Sequence, residues 1–385
     1  MKIHPAIACI TLCLLPLASW AADDTVAMRA AVDAAIRPLM AEHNIPGMAV
    51  AVTVNGRSAY FNYGVASREK LTPVSEMTLF EIGSISKTFT ATLAAYAQEI
   101  GKLSLDDHPG KFIPQLQGTA INRASLLNLG TYTAGGLPLQ FPDDVDDAGM
   151  IRYFAQWKPD AAPGTQRRYS NPSIGLLGHV TALAFKRDFT DLMETQLFPR
   201  LGLHHTHLRV PDQAMAAYAW GYAKENKPIR MNSGVLAMEG AGAKSTSADM
   251  IRYLQANIDP GRLGKAMQGA LRATHVGHFQ VGDMVQGLGW EQYPYPVSLA
   301  RLQAGNASGV IWEPNAARHL TSKPAGPALF NKTGSTFGFG AYVAFVPEKK
   351  IGIVLLANRN YPIPERVKAA HAILERLATR QTAER

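Results

Sequence analysis

The amino-acid sequence predicts an α/β fold of the α+β type: one antiparallel sheet assembled from N- and C-terminal segments, flanked by helices, with a mainly helical lobe inserted between them. Three observations predict it. An Asn55-Gly56 step joins two strand-like runs near one end of the chain. Three more strand-like runs lie near the other end. Helical periodicity outside both sets supplies the covering layers, and the middle of the chain reads as helix and loop.

Taken in order, Thr25 is placed to cap a helix whose apolar positions Met28, Val32, Ile36 and Met40 recur at about 3.6 residues. After Pro46, Met48 to Val54 and Ser58 to Val65 are rich in strand formers. The Asn-Gly pair between them is the strongest short hairpin signal. Ser84 opens a helix marked by Phe89, Leu93, Tyr96 and Ile100, and Gly101 stops it. Ala328 to Thr333, Ala341 to Val346 and Ile351 to Ala357 read as three strands joined by two turns. A last helix starts near Pro364, a residue suited to a first helical turn, with Val367, Ala370, Leu374 and Leu377 on one face. The expected organisation is a single domain over 22–385. Its α/β lobe takes residues 22–102 and 228–385, its helical lobe takes 103–227, and a cleft lies between them.

Residues 1–21 fall outside that domain. Lys2 precedes a short apolar run, Ile7 to Leu17, and Ser19-Trp20-Ala21 offers small residues at the two positions a signal peptidase reads. The run is too short to span a bilayer. A secretory leader cleaved after Ala21 is expected, with a periplasmic mature protein. Both cysteines, Cys9 and Cys13, lie in the leader, so the mature chain relies on its core rather than on disulfides. A composition of 47% hydrophobic and 18% charged residues is that of an ordinary globular domain. The formal charge of +8 is spread along the chain without a long basic run, which favours small anionic ligands over nucleic acid or a stable membrane association. His204, His205 and His207 lie close together, but no carboxylate or cysteine spacing completes a metal set, and no metal or cofactor is expected.

Three motifs carry chemistry. Ser-x-x-Lys occurs twice, at Ser67–Lys70 and Ser84–Lys87. The first lies in a polar stretch before Pro73 and reads as a loop. The second follows Gly83 at a helix head, where residues three apart share a face and Lys87 reaches the Ser84 hydroxyl. A serine needs such a neighbouring base to become a nucleophile, and a lysine serves only when its pKa is lowered. The ordinary alternative is a capping serine beside a solvated lysine. Tyr169-Ser170-Asn171 lies in a loop between Gly164 and Pro172; in extended backbone the tyrosine and asparagine face one way. Lys332-Thr333-Gly334 ends the first C-terminal strand, where an ammonium, a hydroxyl and a glycine suit a carboxylate.

In this order the three motifs resemble those of class C serine β-lactamases. The likeness extends to FEIGSISKTFTATL, YTAGGLPLQFP, RRYSNPSIGLLGH, GLGWEQYP and LFNKTGSTFGFGAYVAFVPEKKIGIVLLANRNYP, nearly all of the mature chain. Class A relatives fit worse: no Ser-Asp-Asn occurs, and Ala124 stands where their glutamate precedes Leu127-Asn128.

The resemblance implies a β-lactamase/transpeptidase-like fold, a monomer, and a hydrolase that opens β-lactams, cephalosporins in particular, and confers resistance to them. It assigns Ser84 as nucleophile, Lys87 and Tyr169 as proton acceptors, and the backbone N–H groups of Ser84 and Ser335 as the oxyanion hole. Lys332, Thr333 and Gly334 take the substrate carboxylate, with Arg366 nearby. Gln140 and Asn171 bond the acylamino side chain, and Glu291 and Asn360 fall at cleft-side positions. Three departures stand out. Ala241 replaces a tyrosine that walls the side-chain pocket, Asn331 stands where many relatives have histidine, and Ile363 replaces an asparagine. A D-Ala-D-Ala carboxypeptidase or esterase of the same fold, or a β-lactam-binding protein that acylates and stops, would share much of this set.

Overall fold

Met48, Val50 and Val52 alternate along one strand with Ala49 and Ala51, and both sets are fully buried. The first set packs with the terminal helices, through Val32, Ile36, Val367 and Leu374. The second packs on the opposite face with Phe89, Leu93, Met250 and Leu254. A period of two has thus been split between two cores, which is why the strand reads as a continuous apolar run rather than a half-polar one. Each large aliphatic side chain so buried contributes about 1.5–3 kcal/mol.

The computed structural model describes residues 22–383 apart from Ser233 and residues 322–325. The stretch read as a leader, with its two cysteines, lies outside the described residues. The strands used here are β1 (Gly47–Val54), β2 (Arg57–Ser67), β3 (Thr72–Pro73), β4 (Gly277–Val281), β5 (Met284–Gly287), β6 (Glu291–Pro294), β7 (Arg318–His319), β8 (Ala328–Ser335), β9 (Gly340–Val346) and β10 (Ile351–Ala357). Among the described residues they form one antiparallel sheet in the order β7-β4-β5-β6-β8-β9-β10-β1-β2-β3. The chain's two ends meet at its centre, where Met48 pairs with Ala357 and Val54 with Ile351. Asn55 and Gly56 close the β1–β2 hairpin at φ 51° and 80°. The expected five strands are present. The β4–β6 meander is additional to them, and it carries the sheet on beyond β8.

The helices that matter for the site are α1 (Ala22–Glu42), α2 (Ser86–Glu99), α3 (Asn171–Phe185), α4 (Ala237–Ala241), α5 (Ser247–Ile258), α6 (Lys265–Thr274) and α7 (Ile363–Ala383). Helices α1 and α7 cover one face of the sheet, and α5 the other. Helix α2 lies between α6 on one side and α3 with α4 on the other. It is therefore buried nearly all round, from Ser86 to Ala95 without interruption. Helix α1 begins at Ala22, so Thr25 falls inside it rather than ahead of its first residue. Residues 103–227 contribute no strand to the large sheet. Among the described residues no helix is long and apolar enough to cross a membrane.

Candidate active site

The Ser84 segment is a single 3₁₀ turn, Gly83–Ile85, that runs straight into α2. Ser84 caps neither helix: no side-chain capping bond is made at that end, and the hydroxyl is left for other work. Lys87, one turn on, is fully buried. Its Nζ lies 2.8 Å from Ser84 Oγ and donates to the Gly240 carbonyl of α4, also at 2.8 Å. A neutral amine keeps both contacts, donating to Gly240 and accepting from the Ser84 hydroxyl with its lone pair. The other Ser-x-x-Lys ends in a turn in which Ser67 Oγ accepts from the Lys70 backbone N–H at 3.1 Å.

Tyr169 and Asn171 flank Ser170, which is extended at φ −149° and ψ 124° and caps α3 by accepting from Ser173 N–H at 3.0 Å. The two side chains therefore project together. The Tyr169 ring lies 5.1 Å from Lys87 Nζ, 4.9 Å from Lys332 Nζ and 5.5 Å from the Arg167 guanidinium. Its hydroxyl and Asn171 Oδ1 are buried with no hydrogen-bond partner among the described residues. In a finished protein interior such atoms are rare, and here both line the cavity that holds Ser84.

The electrostatics follow from this packing. Burial pushes the Tyr169 phenol up, but the ammonium groups of Lys332 and Lys87 and the Ser84 hydroxyl outweigh it; the net displacement is downward, against Glu291. Burial lowers Lys87, helped by Lys332 and opposed by Tyr169. Lys332 moves the other way: burial would lower it, but the Glu291 carboxylate and the Tyr169 phenol raise it. The site thus holds one lysine made more basic, one less basic, and a phenol made more acidic between them.

Glu291 is the hinge of this arrangement. Its Oε1 lies 3.5 Å from Lys332 Nζ and 3.3 Å from Arg167 Nη2, all three groups buried. Arg167 also donates to Gln286 Oε1 at 2.8 Å and to the Val310 carbonyl at 2.7 Å. Sequence reasoning placed Glu291 at the cleft and passed over Arg167. The signal was present, since Arg167, Tyr169 and Asn171 alternate along one extended stretch.

At the end of β8, strand β6 pairs only as far as Asn331, opposite Glu291, so from Lys332 onward that edge is free of a β6 partner. Thr333 and Ser335 line the cavity there. Two glycines set this strand against the nucleophile turn. A Cβ on Gly83 would lie 2.5 Å from Ser335 N, and one on Gly334 would lie 1.9 Å from the Ile82 carbonyl oxygen. Gly334 is thus required for packing of backbone on backbone, not for ligand approach. Arg366 is likewise corrected. It is wholly buried behind the strand and outside the cavity lining. It donates to the Gly334 carbonyl at 2.6 Å, to Ser335 Oγ at 3.0 Å and to Asn360 Oδ1 at 2.6 Å. It positions the strand end and Asn360 and does not meet substrate itself.

The cavity, about 570 Å³, gathers Ser84, Gln140, Tyr169, Asn171, Ala241, Glu291, Lys332, Thr333, Ser335 and Asn360. Ile363 lies in its wall too, and Asn331 is tied beneath it, accepting from Asn306 Nδ2 at 3.1 Å and donating to the Glu291 carbonyl at 3.1 Å. Asn306, part of an Asn-Ala-Ser pattern, is spent on this inner contact. No cluster of histidine, cysteine, aspartate and glutamate suited to a metal occurs among the described residues.

Comparison with known proteins gives one consistent answer. The family model described as Beta-lactamase matches residues 32–378. A β-lactamase of Pseudomonas fluorescens is 53% identical over 350 residues, covering 90% of this chain and 98% of that protein. A crystal structure of a class C β-lactamase in complex with cefoxitin is similar at a TM-score of 0.89 and 47% identity, over 92% of this chain and 99% of that one. A structure described as a β-lactamase/D-alanine carboxypeptidase from Pseudomonas syringae is similar at a TM-score of 0.89 and 47% identity, over 91% of this chain and 99% of that one.

Proposed function

The chain belongs to the β-lactamase family, and from that premise we propose that it hydrolyses the amide bond of β-lactams, cephalosporins among them, through a serine acyl-enzyme. The observation that carries this reading is the 2.8 Å contact of Lys87 Nζ with Ser84 Oγ, beside a phenol held between two lysines. Ser84 Oγ attacks the ring carbonyl while its proton passes to Tyr169 or Lys87. The new oxyanion lies between the N–H groups of Ser84 and Ser335, each such donor contributing about 3–4 kcal/mol. The carbonyl–nitrogen bond then breaks, and the held proton goes to the leaving nitrogen. Lys332 and Thr333 hold the substrate carboxylate; Asn171 and Gln140 hold the acylamino group. A water then attacks the ester with Tyr169 as base, and Ser84 Oγ leaves with the proton returned to it.

Purified protein and Ser84→Ala, each given a chromogenic cephalosporin, test this. Steady turnover by the wild type, a fall of roughly 10⁴-fold or more in the variant, and loss of the covalent adduct by mass spectrometry are expected. A single stoichiometric burst from the wild type overturns the hydrolase reading. Turnover by Ser84→Ala overturns the nucleophile assignment.

A second activity at the same serine, removal of D-alanine from acyl-D-Ala-D-Ala peptides, is favoured by the double description of the Pseudomonas syringae relative; D-alanine release abolished by Ser84→Ala is its test. The proposal extends to a periplasmic monomer, supported by the leader pattern of residues 1–21. An N-terminus at Ala22 in a periplasmic fraction, and a monomer mass in solution, are the expected findings.

A further inference from the structure

The cavity carries a cation that the chemistry above does not use. Residues 229–232 form part of its wall, and Arg230 is among them. The guanidinium is clamped between two rings, 3.9 Å from the Tyr218 centroid and 4.2 Å from that of Trp220. Its Nε donates to the Ala219 carbonyl at 3.2 Å and its Nη2 to the Tyr218 carbonyl. Nη1 has no partner among the described residues, and no carboxylate lies within ion-pair distance. Glu81, the acid that acts on its charge, makes no direct contact with it: Glu81 Oε1 accepts from the Tyr218 hydroxyl and the Met231 N–H, both at 2.6 Å, and Oε2 has no partner among the described residues. The other charged groups lining the cavity, Lys332, Arg167 and Glu291, are bonded to one another. Arg230 is therefore a positive charge fixed by two rings and two carbonyls, in no direct ion pair and felt by Glu81 only through space, so a ligand need not order it.

Two further features say where an anion reaches it. Lys332 and Thr333 serve the ring carboxylate and Arg167 is paired with Glu291, so a third cation in the same cavity, in no ion pair, calls for a second anion on the substrate. Ala241 also lines the cavity, and a methyl group in place of a larger side chain leaves room there.

We propose that Arg230 is a specificity-determining residue for β-lactams that carry a second carboxylate, on the acylamino side chain, with Ala241 supplying the space that lets this carboxylate reach the guanidinium. The proposal rests on the hydrolase reading given above. Its chemistry is a charge-assisted hydrogen bond from Nη1 to the side-chain carboxylate, formed while the ring carboxylate stays on Lys332.

The test uses a matched pair: a cephalosporin whose oxyimino side chain ends in a carboxylate, and the methyl ester of that same carboxylate. The readout is the ratio of kcat/KM for acid over ester. In the wild type the acid is favoured, and 0.5 M NaCl narrows the ratio. In Arg230→Gln the ratio falls about tenfold, the size of one charge-assisted bond, and its salt dependence is lost. Arg230→Lys retains part of it, and Ala241→Tyr, which refills the space, lowers it without touching the charge. An acid/ester ratio in Arg230→Gln within twofold of the wild type overturns the proposal. So does a wild-type ratio below one that salt does not change, a measurement that needs no variant to fold. Failure of the wild type to turn over either compound is a different result, since it strikes the hydrolase reading first.

Discussion

A methyl group added to Gly83 reads out the oxyanion hole. Gly83 has a φ of +51°, and a Cβ built there would lie 2.5 Å from Ser335 N, 2.6 Å from Ser335 O and 2.8 Å from its carbonyl carbon. Ordinary contact begins at 3.4 Å, so the Ser335 peptide or the Ser84 turn must retreat by about 0.9 Å. The obstructing atoms are backbone, held in turn by Arg366 on the far side of the strand, so no side chain can swing away to relieve them. An oxyanion donor works at about 2.7–3.1 Å. A shift of that size takes the Ser335 N–H out of range. Gly83→Ala should therefore lower kcat by about 10²–10³-fold, or 3–4 kcal/mol at the barrier. It should also lose about 1–2 kcal/mol of stability to the left-handed backbone before any cost of the clash. The assay is steady-state kinetics on a chromogenic cephalosporin, with thermal unfolding by circular dichroism on the same samples. Gly282→Ala is the control. Its φ is +54°, but a Cβ there meets nothing within 4 Å, so it should lose stability and keep kcat. A folded Gly83→Ala with kcat within threefold of the wild type would refute the placement of the Ser335 N–H in the oxyanion hole.

Two further outcomes follow from buried charges. Arg366→Met removes bonds to the Gly334, Tyr361 and Ala341 carbonyls, Ser335 Oγ and Asn360 Oδ1 while relieving the burial of a cation. A net loss of about 2–4 kcal/mol in urea unfolding is expected, with kcat falling more than KM rises, because the strand end and not a substrate contact is lost. Glu239 on α4 is buried, and desolvation raises its carboxyl to about 7 from its ordinary 4.5. A raised folded pKa means the folded state holds the proton more tightly. Stability is therefore fullest below pH 4.5 and declines as pH rises through 7, by at most about 3 kcal/mol. Glu239→Gln should flatten the profile of Tm between pH 5 and 8 and raise Tm at the alkaline end. An unchanged slope would show that the carboxyl is not neutral in the fold.

Where the chain's own periodicity decided the outcome, the sequence was legible. The Asn55-Gly56 hairpin, the three C-terminal strands and the last helix all fall where pattern and turn chemistry put them. The β4–β5 hairpin was missed although Gly282-Asp283 is a two-residue turn signal, because its strands are short and carry polar residues: His278 and Gln280 are half-buried, and Gln286 is buried with its amide donating to the Gly287 carbonyl. The site was legible to the extent that its residues are neighbours in sequence. Ser84 with Lys87, and Tyr169 with Asn171, come together through helix and strand periods alone. What periodicity cannot tell is which way a residue faces once two segments far apart in the chain press together. Gly334 and Arg366 were read as ligand contacts. They prove to be the means by which β8 is held against the Ile82–Ser84 turn, a contact across some 250 residues of chain.

The same long-range packing explains why a phenol and not a lysine is the group between the two ammoniums. Around Tyr169 stand Lys87, Lys332 and Arg167, with Glu291 the carboxylate among them, and that carboxylate is shared by Lys332 and Arg167. Lys87 has no acid of its own and is held by a carbonyl and a hydroxyl instead. A surplus of positive charge in a buried site is costly unless something ionises to meet it. Two events meet it here. Tyr169 gives up its proton more readily than a free phenol, and Lys87 keeps its own less firmly than a free amine. Under the function proposed above, a substrate carboxylate at Lys332 would supply further negative charge and weaken the pull of that ammonium on the phenol. The phenol then holds more tightly a proton taken from Ser84, while a smaller share of it is ionised beforehand, so the lowered pKa of the free site and the pull of the bound carboxylate act in opposite senses on the same group.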